Sequence, residues 1–423
     1  MEAAPRPRWT REQASAVIAA FLGWTLDAFD FFLMVFVFGD IAKEFGTSVS
    51  AVAWAVTLTL AARFIGAFFF GRAADYYGRR PVLIAVVLLY SFFAFLSGLA
   101  PNLASLLILR TLFGIAMGGE WGVGASLAME TIPKGSRGFV SGLLQCGYPT
   151  GYLIASIVYA TLYSNGFLSW RGMLMLGAFP ALLCVFIFSA VKESPGWTPR
   201  KGNTMEIART HWRLAVYAIL MMTAFNFFAH GTQDLYPTFL SVQRQLDPAT
   251  VGRIAVIYNI GAICGGLFFG TLSQLIGRKL AIVLATMGSL PTILLWAFGS
   301  DAVTLTVAAF FMQFMVQGAW GVIPAHLNEL SPAEARGTFP GFVYQLGNFL
   351  ASINAVLQGG MAAALGGDYG TPLALVAFVS AIAILVLVGF GIERKDAHLG
   401  VEDAPDPHMT TPPNWARLLS PAE

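Results

Sequence analysis

The 423-residue chain is 57% hydrophobic and only 11% charged, with a net charge of +2 and a mean hydropathy of +0.68. Soluble domains carry about 25% charged residues, so composition excludes a water-soluble globule, and the small net charge with no long basic run excludes a nucleic-acid partner. The three cysteines, Cys146, Cys184 and Cys264, are scattered through apolar segments, a spacing that gives neither a disulfide framework nor a zinc site.

Apolar runs of about 20 residues, each able to cross ~30 Å of hydrocarbon, recur near 13–38, 51–71, 82–100, 103–124, 139–162, 170–191, 213–239, 252–273, 280–299, 302–325, 338–363 and 372–392. The sequence therefore predicts an all-α membrane protein of twelve spans. The first run is too long, and too interrupted by acids, to be a cleavable signal peptide. With the N-terminus inside, the inner segments collect most of the basic residues, from Arg6, Arg8 and Arg11 through Arg200 and Lys201 to Arg417. The outer loops hold only Lys43, Arg171, Arg244 and Arg253. That asymmetry predicts cytoplasmic termini.

Ionisable groups within spans cost ~2.5–3.5 kcal/mol each on insertion scales, which makes them functional candidates. Span 1 reads GWTLDAFDFFLMVFVF and carries Asp27 and Asp30, an i, i+3 pair on one helical face. Arg63 in span 2 comes to nearly the same depth, so an Asp–Arg pair near the midplane is expected. Such a pair has two readings: a lock between the first two helices, or an acid that takes a proton and frees Arg63 to grip an anion. Arg offers a planar fork matched to a carboxylate, and two acids beside one base leave one acid to hold a proton. In span 4, Arg110 and Glu120 follow, Glu120 lying too close to the predicted cytoplasmic end to be favoured as a substrate ligand. Span 5 contains LLQCGYPTG, which offers Gln145 and Tyr148 to a cavity.

Span 7 holds the other polar cluster, NFFAHGTQDLYPTFL at 226–240. Asn226, His230, Gln233 and Asp234 follow the i, i+4, i+7, i+8 spacing of one face, and such a stripe looks into a water-filled cavity rather than lipid. Gly231 and Pro237 mark a weak point.

The two halves repeat. GRAADYYGRR at 71–80 has a counterpart in GTLSQLIGRK at 270–279, GEWGV at 119–123 in GAWGV at 318–322, and Glu130, Arg137 and Gly138 in Glu329, Arg336 and Gly337, all at an offset of 199 residues. The expected organisation is a six-helix bundle over 1–191, a cytoplasmic link over 192–212, a second six-helix bundle over 213–392 and a tail over 393–423.

A six-plus-six parallel repeat resembles the major facilitator superfamily. The inner-loop signature G-x-x-x-D-x-x-G-R-R of that superfamily is present as Gly71, Asp75, Gly78, Arg79 and Arg80, with Tyr76 in place of the usual basic residue. KESPGW at 192–197 is similar to a motif of its sugar-porter branch. The resemblance implies the twelve-helix major facilitator fold and a cytoplasmic gate in which Asp75, Glu130 and Glu329 pair with Arg79, Arg80, Arg137 and Arg336. The plainer reading of these charges is interfacial anchoring.

Span 7 also resembles the N-x-x-[S/T]-H-x-[S/T]-Q-D-x-x-x-T signature of lactate/pyruvate:proton symporters. Asn226, His230, Thr232, Gln233, Asp234, Tyr236 and Thr238 stand in matching places, and Ala229 replaces the usual hydroxyl. GWTLDAFDFF, GIAMGGEWG, VQGAWGVIPAHLNELSP and YQLGN at 344–348 are similar to the same group, which is classed with sialic acid:proton symporters. The resemblance implies proton-coupled uptake of a small monocarboxylate by alternating access. It makes Arg63, Gln145, Tyr148, Asn226, His230, Gln233, Gln345 and Asn348 substrate candidates, and Asp27, Asp30 and Asp234 proton-coupling candidates. Sialic acid, an aromatic acid or a dicarboxylate are alternative cargoes, and a non-transporting receptor on the same scaffold is a further class. No nucleotide loop, metal cluster or nucleophile motif points to an enzyme, so no cofactor or metal is expected. A monomer in a bacterial inner membrane is the expected setting.

Overall fold

The computed structural model of the chain describes residues 9–198, 204–395 and 397–399. Arg6, Arg8, Arg200, Lys201 and Arg417, together with most of the predicted tail, lie outside these residues.

Ten helices are long and apolar enough to cross a membrane, and two more are built from shorter segments, which makes twelve among the described residues. The first half comprises α1 (Arg11–Phe36), α2 (Val49–Tyr77), α3 (Arg79–Gly98), α4 (Leu103–Thr131), α5 and α6 (Trp170–Ala190). Helix α5 is built from Arg137–Gln145 and Gly147–Val158. The second half comprises α7 (Thr204–Gln233), α8 (Pro248–Ile276), α9 (Arg278–Phe298), α10 (Ala302–Leu330), α11 and α12 (Gly370–Gly389). Helix α11 is built from Phe339–Ala351 and Asn354–Ala364.

Local chemistry sets several boundaries. Thr10 and Gln13 form a reciprocal capping box that starts α1. Gly78 and Gly277 take φ of 106° and 99°, which lets α2 turn directly into α3 and α8 into α9. Only glycine adopts that conformation without strain.

Two boundaries differ from the apolar runs. Helix α4 continues to Thr131, beyond the predicted 124, because its last two turns are buried in protein and need not be lipophilic. Helix α7 begins at Thr204, inside the segment read as the link, and bends at His211 (φ −108°). Its polar first turns carry no hydropathy signal.

Each half packs its own apolar core, and a smaller cluster containing Val17, Ala128, Val140 and Ala325 lies between the halves. Large apolar side chains such as Phe69, Phe188 and Leu294 are exposed on the outside, a surface suited to hydrocarbon but not to water.

Candidate functional site

The hydrogen bonds that cross between the halves cluster at the end of the bundle where Arg79, Lys134, Arg137, Arg278 and Arg336 gather, here called the basic end. Asp75 accepts from Gly337 N (2.7 Å), Thr338 N (3.1 Å) and Thr338 Oγ1 (2.6 Å). Gly138 N donates to Gln274 Oε1 (3.1 Å), and Ala325 N to Ser141 Oγ (3.0 Å). Backbones touch here: a Cβ on Gly142 would stand 2.3 Å from Gly266 O, so no larger residue fits that crossing.

The gate pairs match the expected set at Arg79 and depart from it at Arg80, Arg137, Arg336 and Glu329. Arg79 serves both acids of the first half, Asp75 at 3.1 Å and Glu130 at 3.0 Å. Glu329 pairs with Arg278 rather than Arg336, through Nε at 2.9 Å and an outer nitrogen at 2.8 Å. Arg80 instead donates to Phe188 O (2.5 Å) and lies over the Phe188 ring. Arg137 donates to Ala397 O (2.7 Å), and Arg336 to His398 O (2.5 Å) and Leu399 O (3.2 Å). The reason is rotational. Arg79 and Arg278 open helices directly beneath α4 and α10, whereas Arg137 and Arg336 point toward the returning tail.

Two acids complete this frame. Glu193 accepts from Arg79 N (2.8 Å) and Arg80 N (3.1 Å), and Glu393 accepts from Arg278 N (3.2 Å) and Lys279 N (2.9 Å). Each caps the N-terminus of the helix it faces, where an anion is favoured by the helix dipole. Arg278 was legible from the 199-residue offset applied to Arg79. Glu393 was harder to find, because its offset from Glu193 is one residue longer.

In mid-bundle, Arg63 donates to Asp27 at 3.0 and 3.3 Å, both side chains being nearly fully buried. Asp30 does not share that arginine. It is turned into the first half toward α6, where Oδ1 would stand 3.2 Å from a Cβ on Gly177, and its electrostatic neighbour is Arg110 on α4. Three residues of helix rotate a side chain by about 60°, which is enough here to place the two acids beside different bases. The expectation of two acids beside one base is thereby corrected.

The α7 stripe belongs to two networks. His230 Nδ1 lies 3.1 Å from Asp234 Oδ1, and Nε2 lies 2.9 Å from Asn348 Oδ1 on α11. Asn354 Nδ2 reaches Asp234 Oδ2 at 3.3 Å, and Asn348 Nδ2 approaches Gln345 at 3.5 Å. Gln233 turns to α10 and donates to Gln313 (2.9 Å), while Asn226 donates to Met222 O in its own helix (2.8 Å). Helix α7 stops at Gln233, ahead of Pro237.

His230 and Asp234 side chains remain 28% and 31% exposed although their helix packs against α11 and α12. His230 is within electrostatic reach of Arg63, and Asp234 of Tyr148 and Tyr258. The stripe therefore faces the first half across a gap that water can enter. Tyr148 packs on Trp24 (5.7 Å between ring centres) and Phe32 (5.4 Å). Trp121 meets Tyr344 at 4.6 Å, Trp320 meets the same Tyr344 at 5.5 Å, and Gln145 accepts from Trp121 Nε1 at 3.1 Å. Trp121 and Trp320 are repeat partners, so a two-sided aromatic layer separates the polar centre from the basic end.

Glu120 was misplaced by the sequence reading. It lies eleven residues before the end of α4 at Thr131, or ~16 Å along the axis, and is fully buried beside Gly23 of α1. It is within electrostatic reach of Asp27 and Arg63.

Twelve membrane-length helices in two repeats, closed at one end over a buried polar centre, define a multi-pass membrane protein of the two-bundle transporter class. The chain belongs to the Major Facilitator Superfamily, whose sequence pattern it matches over residues 19–245 and 219–422. It is 30% identical over 367 residues to a carboxylic acid transporter protein homolog of Saccharomyces cerevisiae, covering 80% of this chain but 59% of the yeast protein's length. It is 28% identical over 408 residues to the sialic acid transporter NanX of Escherichia coli, covering 92% of this chain and 96% of that one. Its fold is similar to that of the proton:xylose symporter XylE bound to 6-bromo-6-deoxy-D-glucose. The TM-score is 0.71 at 18% identity, over 90% of this chain and 96% of that one.

Proposed function

We propose that this chain is a secondary active transporter that moves a small monocarboxylate of the lactate/pyruvate type together with a proton, by alternating access, in a bacterial inner membrane with the basic end cytoplasmic. The observation that carries the reading is the buried Asp27–Arg63 pair, set across a gap from His230, Asp234 and Asn348. A substrate carboxylate competes with Asp27 for the guanidinium. The released Asp27 then needs a proton or another partner, because an unpaired buried charge is costly. Gln145, Tyr148 and Gln345 line the approach, and Asn226 and Gln233 hold the α7 stripe in place. With the basic end cytoplasmic, its closure corresponds to an outward-facing form.

The named cargo of the yeast relative supports a carboxylate. A second organic acid, sialic acid, is favoured by the near full-length match to the bacterial relative. The test is uptake of labelled L-lactate into liposomes under an inward proton gradient, with pyruvate, sialic acid and 4-hydroxybenzoate as competitors. Gradient-driven uptake that is lost in Asp27→Asn and Arg63→Gln supports the mechanism. Uptake of another acid alone moves the substrate, and full activity in both variants reduces the pair to a lock between helices. One monoanion with one proton is electroneutral, so a clamped membrane potential should change the rate little.

A further inference from the structure

The first half buries five ionisable side chains at mid-depth: Asp27, Asp30 and Glu120 at 0–1% exposure, and Arg63 and Arg110 at 4% and 2%. Three acids face two bases. Asp27 is hydrogen-bonded to Arg63, and Asp30 has Arg110 as its electrostatic neighbour. Neither Asp30 nor Glu120 accepts a hydrogen bond at either carboxyl oxygen. Asp30 has Arg110 as its own base, whereas the base within reach of Glu120 is Arg63, already bonded to Asp27. The Glu120 carboxyl lies against α1, where Oε1 would stand 2.1 Å from a Cβ on Gly23 and 3.4 Å from one on Gly124. Only the missing side chain of Gly23 leaves room for it.

A buried carboxylate without a donor bears the full cost of desolvation, and the count of three acids to two bases leaves one negative charge over if all ionise. We propose that Glu120 is the residue that carries the coupled proton, held as a neutral carboxylic acid while Asp27 occupies Arg63. This deepens the symport reading and rests on it. The charged and titratable groups that face Glu120 are Asp27 on α1, Arg63 on α2 and Tyr90 on α3.

Glu120 senses the substrate site through Arg63 and Asp27. An anion that displaces Asp27 from Arg63 adds a negative charge beside Glu120, so anion binding favours the proton on Glu120. By linkage, the proton favours anion binding to the same degree. The step balances: Glu120 COO⁻ takes one proton from the outward gap to become COOH and keeps it while the anion is bound. Once the anion leaves on the opposite side, the freed Arg63 stabilises the Glu120 carboxylate and the proton passes to water there. Asp27 then returns to Arg63.

The first measurement needs no substrate. Infrared spectra of the purified protein should show a protonated carboxyl band at neutral pH that shifts on labelling with 13C-glutamate and is absent from Glu120→Gln. A band that shifts only with labelled aspartate, or that survives in Glu120→Gln, overturns the proposal. The second measurement uses liposomes. A one-unit pH gradient drives about tenfold accumulation in the wild type, and none in Glu120→Gln, which should keep counterflow of labelled against unlabelled substrate. Proton-driven accumulation retained by Glu120→Gln overturns the proposal. Should the variant fail to fold, the labelling result on the wild type decides. A wild type that accumulates no acid refutes the symport reading, while the infrared result still reports where the proton sits.

Discussion

Asp75 and Gln274, 199 residues apart, occupy the same place in the two repeats, and each accepts from the backbone N–H of a glycine that starts a helix in the opposite half: Gly337 at 2.7 Å and Gly138 at 3.1 Å. The two contacts are alike in geometry and unlike in charge. Asp75 adds two bonds from Thr338, and hydrogen bonds to an ionised acceptor contribute about 1.5–3 kcal/mol against 0.5–1.5 for neutral ones. Asp75→Ala should therefore open the basic end further than Gln274→Ala does. Spin or dye pairs placed across α2 and α11 would read the population shift, and an equal shift in both variants would show that charge adds nothing.

The Arg278–Glu329 pair has 0% side-chain exposure on both sides. Removing one partner of such a pair costs about 3–5 kcal/mol, whereas replacing both by apolar residues is often neutral. Glu329→Ala should lower the melting temperature in detergent well below that of the double variant Arg278→Met, Glu329→Leu. A double variant no more stable than the single one would mean that the pair is itself the main fastener of that end.

Much of this architecture was legible in the sequence. Hydropathy marks every span, and the constant offset of 199 residues marks the repeat. Asp27 and Arg63 were matched by depth along antiparallel helices. What sequence could not give was rotation. It did not show Asp30 turning toward Arg110, Arg79 taking both Asp75 and Glu130, or Arg278, outside the expected set, taking Glu329. Glu120 was misplaced because apolar runs end where lipid contact ends, while α4 continues inside protein to Thr131. The breaks in α5 and α11, after Gln145 and Ala351, do not show in the apolar runs, because they lie in sequence that stays largely apolar.

At the far end, Glu44 joins α6 to the short helix that follows α1, accepting from Arg171 (2.7 and 3.2 Å) and from Trp170 Nε1 (2.5 Å). The bonds from Arg171, and then from Trp170, hold its carboxyl below the usual glutamate range. A depressed value means that the stabilisation is fully present above the unfolded titration, at about 4.3. It is lost as pH falls through the lower folded value. The pair is half exposed, so the effect is small and screened by salt. The difference in melting temperature between wild type and Glu44→Gln should be measurable at neutral pH and low salt, and should vanish on acidification. A difference that persists in acid would assign it to packing instead.

The chain returns after α12 to the basic end, where Leu399 is buried at 1% exposure in the cluster that includes Val17, Met129 and Val140 of the first half and Ala325 of the second. Arg137 and Arg336, repeat partners from opposite halves, donate to the carbonyls of residues 397–399. The segment thus ties the halves together where they must part for the basic end to open. Truncating a buried leucine costs about 2–5 kcal/mol in a packed core, and even 1.4 kcal/mol is tenfold in an equilibrium. Leu399→Ala, or removal of the chain beyond Lys395, should raise the share of molecules open at the basic end by tenfold or more. Cysteine labelling at a position on the α5–α8 crossing, read from the basic side, would measure it. Unchanged labelling in both variants would show that the segment rests on the closed bundle without holding it shut.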